Sequence, residues 1–63
     1  MNGEVIINAE YRHNKTKNVY DVKGIAECKD RDITVVLYQD SNKRFYTRSV
    51  DEFLEKFKRV IDS

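Results

Sequence analysis

A chain of 63 residues, with 12 basic and 11 acidic side chains and a formal charge of +1, has room for one core, because domains this small bury only about 60% of the surface their unfolded chain exposes. No run approaches the roughly 20 apolar residues that cross a bilayer, and no basic-then-apolar leader opens the chain, so one soluble, cytoplasmic domain over residues 1–63 is expected. A single cysteine, Cys28, and a single histidine, His13, exclude an internal disulfide and a four-ligand zinc site, while the near-zero charge supplies no bulk field toward nucleic acid or membrane.

The chain has no proline and 2 glycines, and it shows neither repeats nor low-complexity runs, so it reads as continuous structure without a linker. A first strand is predicted over about residues 4–13, where Val and Ile are frequent. The polar residues 14–18 bend easily and imply a hairpin to a second strand over about residues 18–28. Along that strand Tyr20, Val22, Ala26 and Cys28 read as one face, and Asp21, Lys23 and Glu27 as the other, with Gly24 marking a bulge or bend. The charged residues 29–32 form the next turn. A β-branched run over residues 33–38 then gives the third strand, with Ile33, Val35 and Leu37 expected inward. Residues 40–43 make another polar turn before a fourth strand over residues 44–48, where Phe45 and Thr47 oppose Arg44, Tyr46 and Arg48.

Ser49 stands three residues before Glu52, a spacing that allows each to cap the other at a helix start. Val50, Phe53, Leu54, Phe57 and Ile61 recur at steps of three, four and seven, so a helix with one apolar stripe is predicted over about residues 50–61. Acids early (Asp51, Glu52, Glu55) and bases late (Lys56, Lys58, Arg59) complement the helix dipole. Four strands followed by one helix give a mainly β fold, either an SH3-like small barrel closed by the helix or a bent antiparallel meander with the helix across one face.

The inventory for catalysis is thin. His13, flanked by Arg12 and Lys15, has no obvious nucleophile to activate, and it is expected to pack its ring and hydrogen-bond nearby backbone. Cys28 is expected inward as a small apolar residue. No catalytic residue, metal or cofactor is therefore expected.

A recognition set stands out instead. Tyr11, Arg12 and His13 end the first strand, and Tyr46 and Arg48 lie near the end of the fourth. Tyrosine offers a flat face with a hydroxyl, and arginine a planar fork of donors suited to phosphate or carboxylate. Tyr11 and His13 share a face, as do Tyr46 and Arg48, so both pairs can meet in one groove that takes a small anionic or nucleotide-like ligand. The alternative is that these tyrosines are ordinary sheet residues and the partner is another protein. Near-neutral charge ranks single-stranded nucleic acid below both. So small a core would also gain from self-association.

Tyr11-Arg12-His13 with Lys15, then Tyr20-x-Val22-x-Gly24-Ile25-Ala26, Val35-Val36 with Tyr38 and Asp40, and Tyr46-Thr47-Arg48-Ser49 followed by Phe53-Leu54-Glu55, together resemble the small bacterial and phage family labelled domain of unknown function 1653. The likeness spans about residues 11–57. Ser49 stands where that family prefers proline, and the loop after His13 lacks its usual glycine. The family carries no established activity, so the resemblance implies none. It does imply that Tyr11, Arg12, His13, Tyr46 and Arg48 form a coherent set. Its phage members suggest a domain that counters host immunity by sequestering a nucleotide signal or by occupying a host protein.

Overall fold

Polar turns separate the β-branched and aromatic segments of this chain, and each segment pairs with its neighbour. The computed structural model describes residues 5–61. Within them the order is β1 (Glu10–His13), β2 (Val19–Cys28), β3 (Ile33–Gln39), β4 (Phe45–Ser49), α1 (Val50–Lys56) and β5 (Phe57–Arg59). All pairings are antiparallel, in one sheet of strand order β4-β3-β2-β1-β5. The fold is thus mainly β with a helix near the C-terminus, and the sheet is an open bent meander that does not close into a barrel. Its two edges, β4 and β5, are consecutive in sequence but stand at opposite ends of the strand order. The helix joins them across one face, and its buried Phe53 packs against Tyr11, Tyr38 and Phe57 of that face. No helix among the described residues is long and apolar enough to cross a membrane.

The helix is shorter than the apolar stripe predicts, and a fifth strand replaces its last turn. Phe57 leaves the helix at φ −126° and ψ 151° while its N–H still donates to Phe53 O. From there β5 pairs with the open side of β1, setting His13 opposite Phe57, Arg12 opposite Lys58 and Tyr11 opposite Arg59. Spacing of four residues between Phe53 and Phe57 suits a helix, but the backbone bonds that β1 offers satisfy the chain better as a strand. The two rings still stack, with centroids 4.3 Å apart and planes 10° from parallel. Ile61, expected on the stripe, is exposed.

The first strand also begins later than predicted. Residue 4 lies outside the described residues, and residues 5–9 form an irregular approach with Asn8 in the left-handed region at φ 72°. Asn tolerates that conformation better than most side chains. Asn8 N–H donates to Val22 O and Val22 N–H to Ala9 O, which ties this approach to β2 without a regular ladder.

A register shift between Val22 and Gly24 in β2 leaves Lys23 without a partner on β3. One extra residue reverses the alternation beyond it. Val22 pairs with Tyr38 on the core side, and after the shift Ile25, paired with Val36, takes that side. Ala26 and Cys28 consequently turn to the opposite face, opposite Val35 and Ile33, so Cys28 does not share a face with Tyr20 and Val22 as expected. The inward set of β3 is also the other one: Val36 and Tyr38 are buried, whereas Val35 and Leu37 are half-buried and Ile33 is exposed. Both faces of β3 are apolar, so alternation could not choose between them. Tyr38 decides, because its ring packs against Phe53 and Phe57 with centroids 5.2 Å from each.

The core consists of Tyr11, Val22, Val36, Tyr38, Phe53 and Phe57, with Val5, Ala9, Tyr20 and Val50 packed around it. Four of those six buried residues are aromatic. Each large side chain buried in this way contributes roughly 1.5–3 kcal/mol relative to exposure, so the aromatic cluster under α1 is the main source of stability.

Candidate functional site

Paired residues in an antiparallel sheet point to the same face. The pairs Tyr11–Tyr20, Val22–Tyr38, Tyr38–Tyr46, Val36–Arg48 and His13–Phe57 therefore put one row of rings and a guanidinium on the side that α1 partly covers. Where α1 stops covering, a hollow of about 200 Å³ opens, lined by His13, Thr16, Tyr20, Tyr38, Tyr46, Arg48 and Phe57.

Tyr20 stands upright in this row. Its ring lies 81° from that of Tyr38, 83° from Tyr46 and 79° from Phe57, with centroid separations of 5.4, 6.2 and 5.4 Å. Tyr38 and Tyr46 are tilted by only 31° at 5.6 Å, so they form a nearly continuous floor against which Tyr20 is a wall. Edge-to-face contacts of this kind fix ring orientation as well as burying area.

Arg48 is held in place from three directions. Its Nε donates to the Tyr38 hydroxyl at 2.9 Å, Nη1 donates to Glu52 Oε2 at 2.9 Å, and the guanidinium carbon sits 5.9 Å from the Phe57 ring centroid. Among the described residues nothing accepts a hydrogen bond from Nη2. Of the reciprocal cap expected between Ser49 and Glu52, one half forms: Ser49 Oγ accepts from Glu52 N–H at 3.3 Å, while the Glu52 carboxylate turns to Arg48. A full charge on the guanidinium outcompetes a neutral N–H for that carboxylate.

His13 shapes the rim. Its Nδ1 accepts from the N–H groups of Lys15 and Thr16, each at 3.2 Å, which leaves the proton of the neutral ring on Nε2. The imidazole thereby organises the β1–β2 turn and carries Thr16 to the hollow, and it meets Phe57 edge-on at 4.9 Å. The same turn caps the helix end, through Asn14 N–H to Lys56 O at 2.9 Å and Asn14 Nδ2 to Glu55 O at 3.3 Å.

Tyr46 is tied to the β3–β4 turn by its hydroxyl, which donates to Asp40 Oδ2 at 2.8 Å. The Asp40 carboxyl is held below the usual carboxylate range, first by the Arg44 N–H and then by the Tyr46 hydroxyl. The same bond raises Tyr46 above the ordinary phenol value. Beside this pair lies a second, larger hollow of about 440 Å³, lined by Asn18, Val19, Tyr20, Asp40, Ser41 and Asn42. Tyr20 is the wall common to both hollows.

Of the five residues that the sequence singles out, the structure brings His13, Tyr46 and Arg48 to the hollow. Tyr11 shares their face but lies under the helix at 2% exposure, its ring 5.1 Å from Phe53 and its hydroxyl accepting from Ile6 N–H at 3.0 Å. Arg12 pairs with Val19 and Lys58 on the other face and is exposed there, as strict alternation along β1 requires. Tyr20, Tyr38, Phe57 and Thr16 line the hollow without having been singled out. Tyr38 was hidden by the wrong inward phase of β3, and Phe57 by its assignment to the helix. Tyr20 alone carried a usable signal, since it shares the face of Val22 on a strand paired with Tyr11.

No curated protein and no solved structure matches the chain. A family model described as "Protein of unknown function (DUF1653)" matches residues 9–61, which include every strand, the helix and all residues of the hollow. The chain belongs to the DUF1653 family of proteins of unknown function.

Proposed function

We propose that this protein is a non-catalytic binding module whose hollow takes the planar ring of a small anionic, nucleotide-like molecule. The observation that carries this reading is the convergence of Tyr20, Tyr38, Tyr46 and Phe57 with Arg48 around about 200 Å³. Complete ligand pockets usually enclose roughly 300–1,000 Å³. A hollow below that range suits one ring system, with the rest of the ligand reaching the adjoining cleft of Asn18, Asp40, Ser41 and Asn42. Tyr46 supplies a half-open ring face for stacking, and Nη2 of Arg48 supplies donors for one anionic oxygen. Glu52 already neutralises part of the guanidinium, which favours a singly charged group over a polyphosphate. His13 spends Nδ1 on backbone N–H groups, an arrangement that supports a structural role over proton transfer. A module of this kind sequesters its ligand and does not transform it. In the cytoplasm of a phage-infected cell, a host nucleotide signal is the ligand class that fits.

The second reading, a protein-interaction domain, draws support from the opposite sheet face, where Phe45 is 58% and Ile33 36% exposed. Calorimetric titration with a panel of nucleoside monophosphates and cyclic nucleotides separates the two. Binding by the wild type that is lost in both Tyr46→Ala and Arg48→Ala supports the ligand reading. An empty panel, or binding indifferent to both changes, overturns it.

A further inference from the structure

We propose that β4 pairs antiparallel with β4 of a second copy of this chain, joining two sheets into one across a two-fold axis at Thr47. The backbone supplies the first argument. Asp40 N–H donates to Arg44 O at 3.0 Å, which fixes the phase of the β3–β4 ladder. Bonded and open positions alternate along an antiparallel strand. Arg44 therefore spends its backbone groups on Asp40, and Tyr46 and Arg48 spend theirs on β3, while Phe45, Thr47 and Ser49 turn theirs to the outer edge. Among the described residues nothing pairs with that edge. Phe45, Tyr46 and Thr47 are all exposed along it. The other edge, β5, is only 3 residues long and carries exposed Lys58 and Arg59, features that discourage pairing.

The second argument comes from charge and strand length, which favour a second copy as the occupant and select one register. A strand that pairs with its own copy must centre on one residue. Centring on Tyr46 sets Arg44 opposite Arg48 of the partner subunit, and centring on Arg48 sets it against the partner's Arg48. Like charges directly opposite each other destabilise a ladder. Centring on Phe45 also separates the arginines, but β4 begins there and Lys43 turns out of the strand at φ 71°, which leaves too little strand to pair. Centring on Thr47 avoids both arginine clashes and uses all of Phe45–Ser49, and on the hollow's face it places Tyr46 opposite Arg48 of the partner subunit. A ring then faces a guanidinium in both directions, a favourable pairing that uses the same two residues twice. On the other face the exposed Phe45 meets the partner's Ser49, and the Thr47 side chains meet across the axis. The strand is thus complementary to itself, and each hollow acquires a neighbouring arginine from the other subunit. This pairing stands on β4 alone and holds whether or not the hollow takes a nucleotide.

Light scattering over a concentration series tests it, together with hydrogen exchange at the Thr47 amide. The expected result is a wild-type dimer whose Thr47 amide is protected and loses protection on dilution. Thr47→Pro removes an N–H that β3 does not use, and it is expected to give a folded monomer. Should that variant unfold, Thr47→Lys decides, since it sets like charges across the axis while leaving an exposed position of the monomer intact. A wild type that stays monomeric throughout the series overturns the proposal. So does a dimer that survives Thr47→Lys with the Thr47 amide still protected.

Discussion

The Tyr46 hydroxyl donates to Asp40 Oδ2 at 2.8 Å, while Oδ1 of the same carboxylate accepts the N–H groups of Asn42 and Arg44 at 2.9 and 3.0 Å. One carboxylate thus holds both the turn that precedes β4 and the ring that floors the hollow. The turn needs such a brace, because Lys43 adopts φ 71°, a conformation that a long side chain takes only when its surroundings hold it there.

That bond makes stability depend on pH at both extremes. Asp40 is lowered from 3.8, by the Arg44 N–H first and Tyr46 second, so its contribution is complete above 3.8 and is lost as pH falls through the lower folded value. Tyr46 is raised from 10.0, by Asp40 first, so its contribution is complete below 10.0 and is lost as pH rises through the higher folded value. Solvent screens both groups, so the changes are small. Urea denaturation across pH is expected to show Tyr46→Phe flattening the alkaline limb and Asp40→Asn flattening the acid limb. Limbs that are unchanged in both variants would show that the bond is absent in solution.

Phe53 is completely buried, and its ring touches those of Tyr11, Tyr38 and Phe57 at centroid distances of 5.1, 5.2 and 4.3 Å. It joins the helix to β1, β3 and β5 at once. Phe53→Ala is expected to cost about 3–5 kcal/mol, a large part of the stability of so small a domain. Phe45→Ala, at an exposed position of the edge strand, is expected to change monomer stability by less than about 0.5 kcal/mol. Chemical denaturation of both variants checks the contrast, and a similar loss in each would contradict the placement of the core.

The strands were legible where turn chemistry and β-branched runs agreed, as in residues 33–38 and 44–48, and the cap at Ser49 set the helix start correctly. Three features were hidden for physical reasons. Phe53 and Phe57 are spaced for a helix, and only the unpaired side of β1 makes Phe57 a strand residue. The shift at Lys23 reverses inside and outside for Cys28, which alternation from Tyr20 onward could not show. Both faces of β3 are apolar, so its inward phase depended on aromatic partners contributed by distant segments. The site was half legible for the same reason. His13, Tyr46 and Arg48 follow from strand ends and shared faces, whereas the position of Tyr11 under the helix depends on where α1 crosses the sheet.

Gly24 offers a test of the bulge. It does not have a positive φ, and a Cβ added there would meet no atom within 4 Å. The extra residue is Lys23, so glycine is not required by the backbone at position 24. Gly24→Ala is expected to stabilise the domain by about 0.4–1 kcal/mol, mainly by restricting the unfolded chain. Thermal melts read the sign directly, and a clear destabilisation would mean that the bend in β2 depends on Gly24 itself.

Glu52 competes with any anion for Arg48. Their ion pair at 2.9 Å is partly exposed, with side-chain accessibilities of 46% and 29%, so its loss is expected to cost no more than about 0.5 kcal/mol in stability. Glu52→Gln keeps the N–H that Ser49 Oγ accepts and retains a neutral oxygen for Nη1, so the helix start and the Arg48 position survive. The guanidinium then presents its full charge to the hollow. If a singly charged ligand binds there through Arg48, titration of Glu52→Gln should give tighter binding than the wild type, and more so at low ionic strength, where the removed carboxylate repels the anion most. Weaker or unchanged affinity, with the fold intact by circular dichroism, would place the anion elsewhere.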